Sequence, residues 1–273
     1  MKGRIERVVV PLDAVSENRT AIAIAARLAA HAKSRLHGVF VEDEELLRLA
    51  RLPVARHVTL AAGSAPLSAE EIERQLRAAA ERARRELAAA ARRHRLEWSF
   101  EIVRLAGGGP LVAAAAGDLI VAGALTRPIG QYFRVEWRWW SAIEQVPGSV
   151  LLARRSWEPD GSVSAVLRDR GAGSARLLAA AAQLAEAAGG ALTVICPPDL
   201  AAEKGFEAWL AAQIEPYSVR LQIELAPAEP AELERRLSEL DCRVLAVQAD
   251  LAGQPERVRE LFMRLACDIL LVR

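Results

Sequence analysis

The chain repeats itself. Val8-Val9-Val10-Pro11-Leu12-Asp13 is an apolar run ending on an acid, and twelve residues after that acid comes Ala25-Ala26-Arg27-Leu28-Ala29. At an offset of 156, Ala165-Val166-Leu167-Arg168-Asp169 ends the same way, and twelve residues on stands Ala181-Ala182-Gln183-Leu184-Ala185. The same offset lays Leu36-His37-Gly38-Val39-Phe40-Val41 on Leu192-Thr193-Val194-Ile195-Cys196-Pro197. Ser149-Val150-Leu151-Leu152-Ala153-Arg154 and Asp268-Ile269-Leu270-Leu271-Val272-Arg273 match at an offset of 119, so the second copy is 37 residues shorter. Matches in one order mean two structural units of one plan.

Each unit reads β-α-β-α-β-α-β-α-β. Strands are expected near residues 5–12, 35–41, 97–104, 118–123 and 149–154, then near 162–168, 191–196, 217–225, 243–248 and 268–272. Several are continuous apolar runs without alternation, as parallel strands covered on both faces require. The expected fold is therefore α/β, with two tandem doubly wound five-stranded parallel sheets. Domain 1 spans 1–155 and a shorter domain 2 spans 162–273, with Ser156 to Gly161 as linker. At 273 residues with 52% apolar residues, each unit can bury a core. The closing strands, Val150 to Ala153 and Ile269 to Val272, are apolar edges that would be hazardous if left open. The two halves are expected to pair through them as an intramolecular pseudo-dimer, with a monomer or homodimer as the assembly.

The clearest helix begins at Ser68, which can cap it with Glu71 completing a capping box and Leu67 stapled on Ile72. It should run to about Arg95, with Glu73/Arg77 and Glu81/Arg85 pairing on a solvated face. Acids interleave its arginines, and the net charge is only +1, which argues against nucleic acid as a partner. Met1-Lys2-Gly3-Arg4 leads straight into a strand with no secretory apolar region, and the longest apolar window, Leu111 to Leu125, contains Asp118. The expected compartment is the cytoplasm, without membrane contact. Cys196, Cys242 and Cys267 show no CxxC spacing and read as buried strand and helix residues, not as a disulfide frame or metal site.

In open parallel sheets, ligands sit beyond the C-terminal strand ends where strand order reverses. Asp13, Val41 and Gly123 are expected at such ends. An acid there can accept from an amine or a ribose hydroxyl, and a glycine lets backbone approach a phosphate. Asp13 can equally cap the helix that follows it.

The runs V-V-V-P-L-D-A-V-S-E-N-R and G-D-L-I-V-A-G and the closing S-V-L-L-A-R make the chain resemble the universal stress protein (UspA-like) family, especially its tandem members. The resemblance covers both halves and rests on the order and spacing of these runs. It implies ATP held by an Asp ending the first strand, by backbone ending the second, and by a loop G-x2-G-x9-G-[ST] after the fourth. Laid ungapped here, the loop positions are Gly123, Thr126, Glu136 and Trp137. Glu136 sets a carboxylate where phosphate oxygens would lie, and Trp137 a ring where a hydroxyl would donate. Gly130 or Arg134 would have to rescue binding through a different loop shape. In the second half only Gln248 to Gln254 remain of the loop, and Pro255 and Glu256 stand at its closing positions.

Tyr132, Phe133, Trp137, Trp139 and Trp140, with Arg134 and Arg138 between them, fill the first-half loop. They read as packing over the vacated crevice, as a protein-interface patch, or as a stacking or membrane surface. No HExxH, GxSxG, Walker A or GxGxxG pattern occurs, and His31, His37, His57 and His94 have no acid or nucleophile at diagnostic spacing. The expectation is a stress-response binding or scaffold protein that is not an enzyme, has degenerate nucleotide sites and needs no cofactor or metal. Its partner would be an unidentified protein. The alternative is an adenine-nucleotide sensor holding ATP or AMP at Asp13, Val41, Gly123 and Thr126, and a slow ATPase is the second alternative.

Overall fold

Uninterrupted apolar runs such as Leu119 to Ala122 and Val244 to Val247 become inner strands buried along their length, as parallel strands covered on both faces require. A computed structural model describes residues 5–14, 18–52, 56–59, 63–66, 68–105, 114–123, 146–154, 162–226, 235–237, 239, 242–249, 264–265 and 267–273. The first half contributes β1 (Arg7–Leu12), α1 (Asn18–Ala32), β2 (Arg35–Asp43), α2 (Glu44–Ala50), β3 (Arg56–Thr59), β4 (Gly63–Pro66), α3 (Ala69–His94), β5 (Trp98–Leu105), β6 (Asp118–Gly123) and β7 (Ser149–Ala153). The second contributes β8 (Val163–Val166), α4 (Ala172–Ala188), β9 (Ala191–Cys196), α5 (Pro198–Ala201), α6 (Phe206–Ile214), β10 (Arg220–Leu225), β11 (Val244–Gln248) and β12 (Asp268–Val272).

Ten strands form one sheet in the order β10-β9-β8-β11-β12-β7-β6-β1-β2-β5. Counted within its half, each set of five runs third-second-first-fourth-fifth. All neighbours are parallel except β7 and β12, which meet antiparallel at Ile269↔Leu152, Leu270↔Leu151 and Leu271↔Val150. Leu151 and Leu270 are equivalents in the repeat and pair with each other, so a pseudo-twofold axis passes through that pair. The closing strands thus cover each other's edges, as expected.

That symmetry puts α1 and α4 on the same face, where they touch. His31 Nε2 lies 3.1 Å from Glu186 Oε2 across the seam, while the Ser218 amide donates to Glu186 Oε1 at 2.9 Å. The Ser218 amide chiefly, and His31 after it, hold the Glu186 carboxyl below its ordinary range. One apolar cluster, including Leu12, Phe40, Leu87, Leu151, Leu177, Phe206 and Leu270, runs under the helices across both halves. A second, including Val9, Ile120, Val150, Leu245, Ile269 and Leu271, lies on the opposite face.

Some local expectations shift. Strand β2 continues two residues beyond Val41 to Asp43, held by pairing with β5. A short helix, α2, and the antiparallel β3–β4 hairpin occupy the connection between β2 and α3. Ser68 caps α3 by accepting from the Glu71 amide at 3.4 Å, and Leu67 lies outside the described residues. Glu73 pairs with Arg51 at 3.7 Å rather than with Arg77, and Glu81 with Arg84 at 3.6 Å rather than with Arg85. A helix allows both i+3 and i+4 partners, and Arg51, at the end of the neighbouring α2, competes for Glu73.

Candidate functional site

The crevice follows from topology. Strands β1 and β6 pair at Arg7↔Asp118, Val8↔Leu119 and Val9↔Ile120, and pairing between them stops there among the described residues. Their C-terminal ends diverge at the point where strand order reverses. Asp13 follows β1 directly, and Gly123 ends β6. A Cβ on Gly123 would meet the Ala21 Cβ at 3.4 Å, an ordinary van der Waals contact with helix α1.

Asn18 Nδ2 at the start of α1 donates to the Asp13 carbonyl at 3.0 Å and fixes the turn between β1 and α1. A pocket of about 270 Å³ opens here, lined by Asp13, Ala14, Asn18, Arg19, Ala79, Arg82, Ala83 and Glu86. Arg19 Nε donates to Glu86 Oε1 at 3.0 Å across it. Val41 and Gly123 do not line this pocket. Val41 packs with Val103 on the apolar cluster of the opposite face, leaving only its backbone at the crevice end. Topology thus sets Asp13, Val41 and Gly123 at one end of the sheet, but only Asp13 opens into the described cavity. Thr126, Glu136, Trp137 and the aromatic group Tyr132, Phe133, Trp139 and Trp140 lie outside the described residues, as do Gly130 and Arg134.

The second-half crevice is built differently, and the decisive residue is Gln248. Gly123 pairs with Ala153 on one closing strand and Gln248 with Val272 on the other. Ala153 and Val272 are repeat equivalents, so Gln248 holds the position of Gly123. Its side chain is 8% exposed and lies against Gly173. Nε2 of Gln248 donates to Ser174 Oγ at 2.9 Å, and Ser174 Oγ donates to Asp169 Oδ1 at 2.8 Å. The Gly171 amide donates to the same oxygen at 2.7 Å. Asp169, the acid in the turn after β8, one residue beyond the place that strand register gives Asp13, is therefore the acceptor of an internal hydrogen-bond chain at this strand end. Gln248 closes β11, and its side chain turns back onto Gly173 and Ser174.

The Gly171 amide, and next the Ser174 hydroxyl, hold the Asp169 carboxyl below its usual range. A depressed folded-state pKa contributes stability above the unfolded value of about 3.9, which is lost as pH falls through the folded value. Asp169→Ala is expected to destabilise by about 1 kcal/mol at neutral pH, discounted because the carboxylate is exposed. Denaturant melts from pH 7 to pH 2 should show that difference shrinking below about pH 4. A gap that stays constant with pH would mean the carboxylate charge is not what the turn uses.

Two juxtapositions were invisible in sequence. His37, 7% exposed, lies 2.7 Å from Ser99 Oγ through Nδ1 and 3.2 Å from Glu101 Oε1 through Nε2. These partners stand 62 and 64 residues away, brought together by β2–β5 pairing. Both ring nitrogens of a buried imidazole are thereby satisfied, as burial demands. The second is Cys242, which is half-buried outside any strand and packs on the same apolar cluster as Cys267 rather than lying in the core alone. No group of three His, Cys, Asp or Glu side chains able to hold a metal occurs among the described residues. None of the described helices is long and apolar enough to cross a membrane.

No protein-family model matches the chain, and no curated protein matches its sequence. Solved structures do match its fold. A universal stress protein from Archaeoglobus fulgidus superposes with a TM-score of 0.62 at 15% identity, over 99% of this chain and 97% of that one. A candidate universal stress protein from Pseudomonas aeruginosa gives 0.60 at 18% identity, over 98% and 93%. The cytoplasmic domain of a prokaryotic cation chloride cotransporter gives 0.53 at 12% identity, over 97% and 94%. The chain has the two-unit fold of the universal stress proteins.

Proposed function

We propose that the chain is a tandem universal stress protein, with halves 1–155 and 162–273, that works in the cytoplasm by binding or scaffolding another protein and does not hydrolyse ATP. The observation that carries this reading is the Gln248–Ser174–Asp169 chain. A nucleotide entering the second half would have to displace a buried amide that already donates to Ser174. The replacement of glycine and hydroxyl by Glu136 and Trp137 in the first-half loop supports the same reading. So does the use of this fold in the cytoplasmic domain of a transporter.

A second reading is an adenine-nucleotide sensor confined to the first half, favoured by Asp13 opening into a pocket that also presents Arg19 and Arg82. Thermal shift with Mg·ATP separates the two. A ligand at one hundred times its Kd stabilises by about 2.7 kcal/mol, several degrees for a chain of this size. The scaffold reading expects a shift under about 1 °C at millimolar ATP, and a 260/280 nm ratio of nucleotide-free protein. A shift of several degrees, or copurified nucleotide, would establish the sensor instead. Release of phosphate on adding magnesium would be needed for an ATPase.

A further inference from the structure

The parallel pairing of β11 with β12 begins at Val244↔Asp268, and the Asp268 amide donates to the Arg243 carbonyl at 2.8 Å. Cys242 and Cys267 sit just ahead of that start, one on each chain segment. A strand spacing of about 4.8 Å and a rise of about 3.3 Å per residue set their Cα atoms about 6 Å apart, within the span of a disulfide. Inside a regular strand such diagonal neighbours would face opposite ways. Cys242 precedes the strand, so the pleat does not constrain it, and its side chain packs on the same apolar cluster as Cys267. The Cys242 sulfur is near enough to act on the Cys267 thiol.

The pair is not symmetric. Cys267 is 6% exposed, whereas Cys242 is half-buried and reaches solvent. The neighbouring Cys242 side chain, then burial, push the Cys267 thiol up. Arg154 supplies a positive charge beside them: its amide donates to Asp268 Oδ1 at 2.7 Å and its Nη1 to the Leu265 carbonyl at 3.0 Å. A partly exposed sulfur with a neighbouring cation is the setting in which cysteines react with oxidants.

We propose that Cys242 and Cys267 form a reversible dithiol–disulfide site whose oxidising substrates are peroxides and small-molecule disulfides. With hydrogen peroxide, the Cys242 thiolate attacks one peroxide oxygen and the O–O bond breaks. Cys242 becomes a sulfenic acid, and the other oxygen leaves as water after taking a proton. The Cys267 sulfur then attacks the Cys242 sulfur, the S–O bond breaks, and hydroxide leaves as water with the Cys267 proton. Two thiols and one peroxide give one disulfide and two waters. A small disulfide acts similarly through a mixed disulfide at Cys242 and releases two thiols. The bond closes beside Arg154 and Asp268, where the first half's closing strand meets the second half.

Peptide mapping of the full reduced chain after brief peroxide treatment and alkylation tests this. The expected product is an internal crosslink between tryptic peptides 237–243 and 265–273, two hydrogens lighter than their sum, leaving Cys196 the one alkylated thiol of three. Reduction by dithiothreitol should restore all three. Cys267→Ser is expected to stop at a sulfenic acid or mixed disulfide on Cys242, and Cys242→Ser to leave Cys267 unoxidised. Should Cys267→Ser fail to fold, the wild-type map decides alone. Over-oxidation of Cys242 with Cys267 still free, Cys242 linked between two chains, or no oxidation of either would each overturn the proposal.

Discussion

Leu270→Asp is expected to leave no cooperatively folded protein. Leu270 is 1% exposed and its partner Leu151 is fully buried, and both face the apolar cluster under the helices. The substitution forfeits roughly 2–3 kcal/mol of apolar burial and buries an unpaired carboxylate at a further cost of several kcal/mol. Together these approach the roughly 5–15 kcal/mol that holds an ordinary domain folded. Circular dichroism during urea titration should show no transition, and a sharp transition near the wild-type midpoint would contradict the burial described. The truncations locate the seam more sharply. Leu151→Ala and Leu270→Ala should each cost about 2–5 kcal/mol. Because the side chains are cross-strand neighbours, the double variant should depart from additivity by at least about 0.5 kcal/mol. Additive losses would mean that the two leucines do not meet, and that the halves are not joined through β7 and β12.

This seam was legible because the repeat contains it. Residues 149–154 and 268–273 stand out as unalternating apolar runs at the close of each copy, and an apolar edge must find cover. The strand order was legible at the level of class, since alternating strands and helices leave little besides a doubly wound sheet. The β3–β4 hairpin was not, because strands of four residues such as Gly63–Pro66 carry too few side chains for a period to register.

The candidate site was less legible than the fold, for a different physical reason. Asp13 and Gly123 could be set at strand ends from their runs alone. The role of Gln248 depends on which residue of β12 it faces, and a one-residue change of register reverses every side chain. The Cys242–Cys267 contact likewise depends on two segments 25 residues apart beginning side by side. Spacing along the chain carries no trace of either, because parallel neighbours are joined by connections of variable length.

The other large effect is expected at the opposite end of the sheet, where β1, β6 and β7 begin. Arg7 donates to Asp118 Oδ1 through Nε at 3.1 Å and to Oδ2 through Nη2 at 2.6 Å, and the Ala115 amide donates to Oδ2 at 2.7 Å. The Asp118 side chain is 4% exposed and that of Arg7 31%. This two-point bond chiefly pushes the Arg7 guanidinium up from its usual range, so the cation is firmly held. The corner is also tight, since a Cβ on Gly148 would lie 2.5 Å from the Asp118 carbonyl and 2.8 Å from that of Ala115. Asp118→Ala strands a partly buried cation and an unsatisfied amide, at an expected cost of about 3–5 kcal/mol in urea melts. Arg7→Met should cost at least as much, because the carboxylate it leaves behind is the more deeply buried partner. Replacing both at once, as Arg7→Met with Asp118→Leu, removes the need for pairing and should be less damaging than Arg7→Met alone. A double variant as unstable as the sum of its parts would show that the corner needs the ion pair's geometry itself, with the Ala115 amide and the close approach at Gly148 depending on that carboxylate.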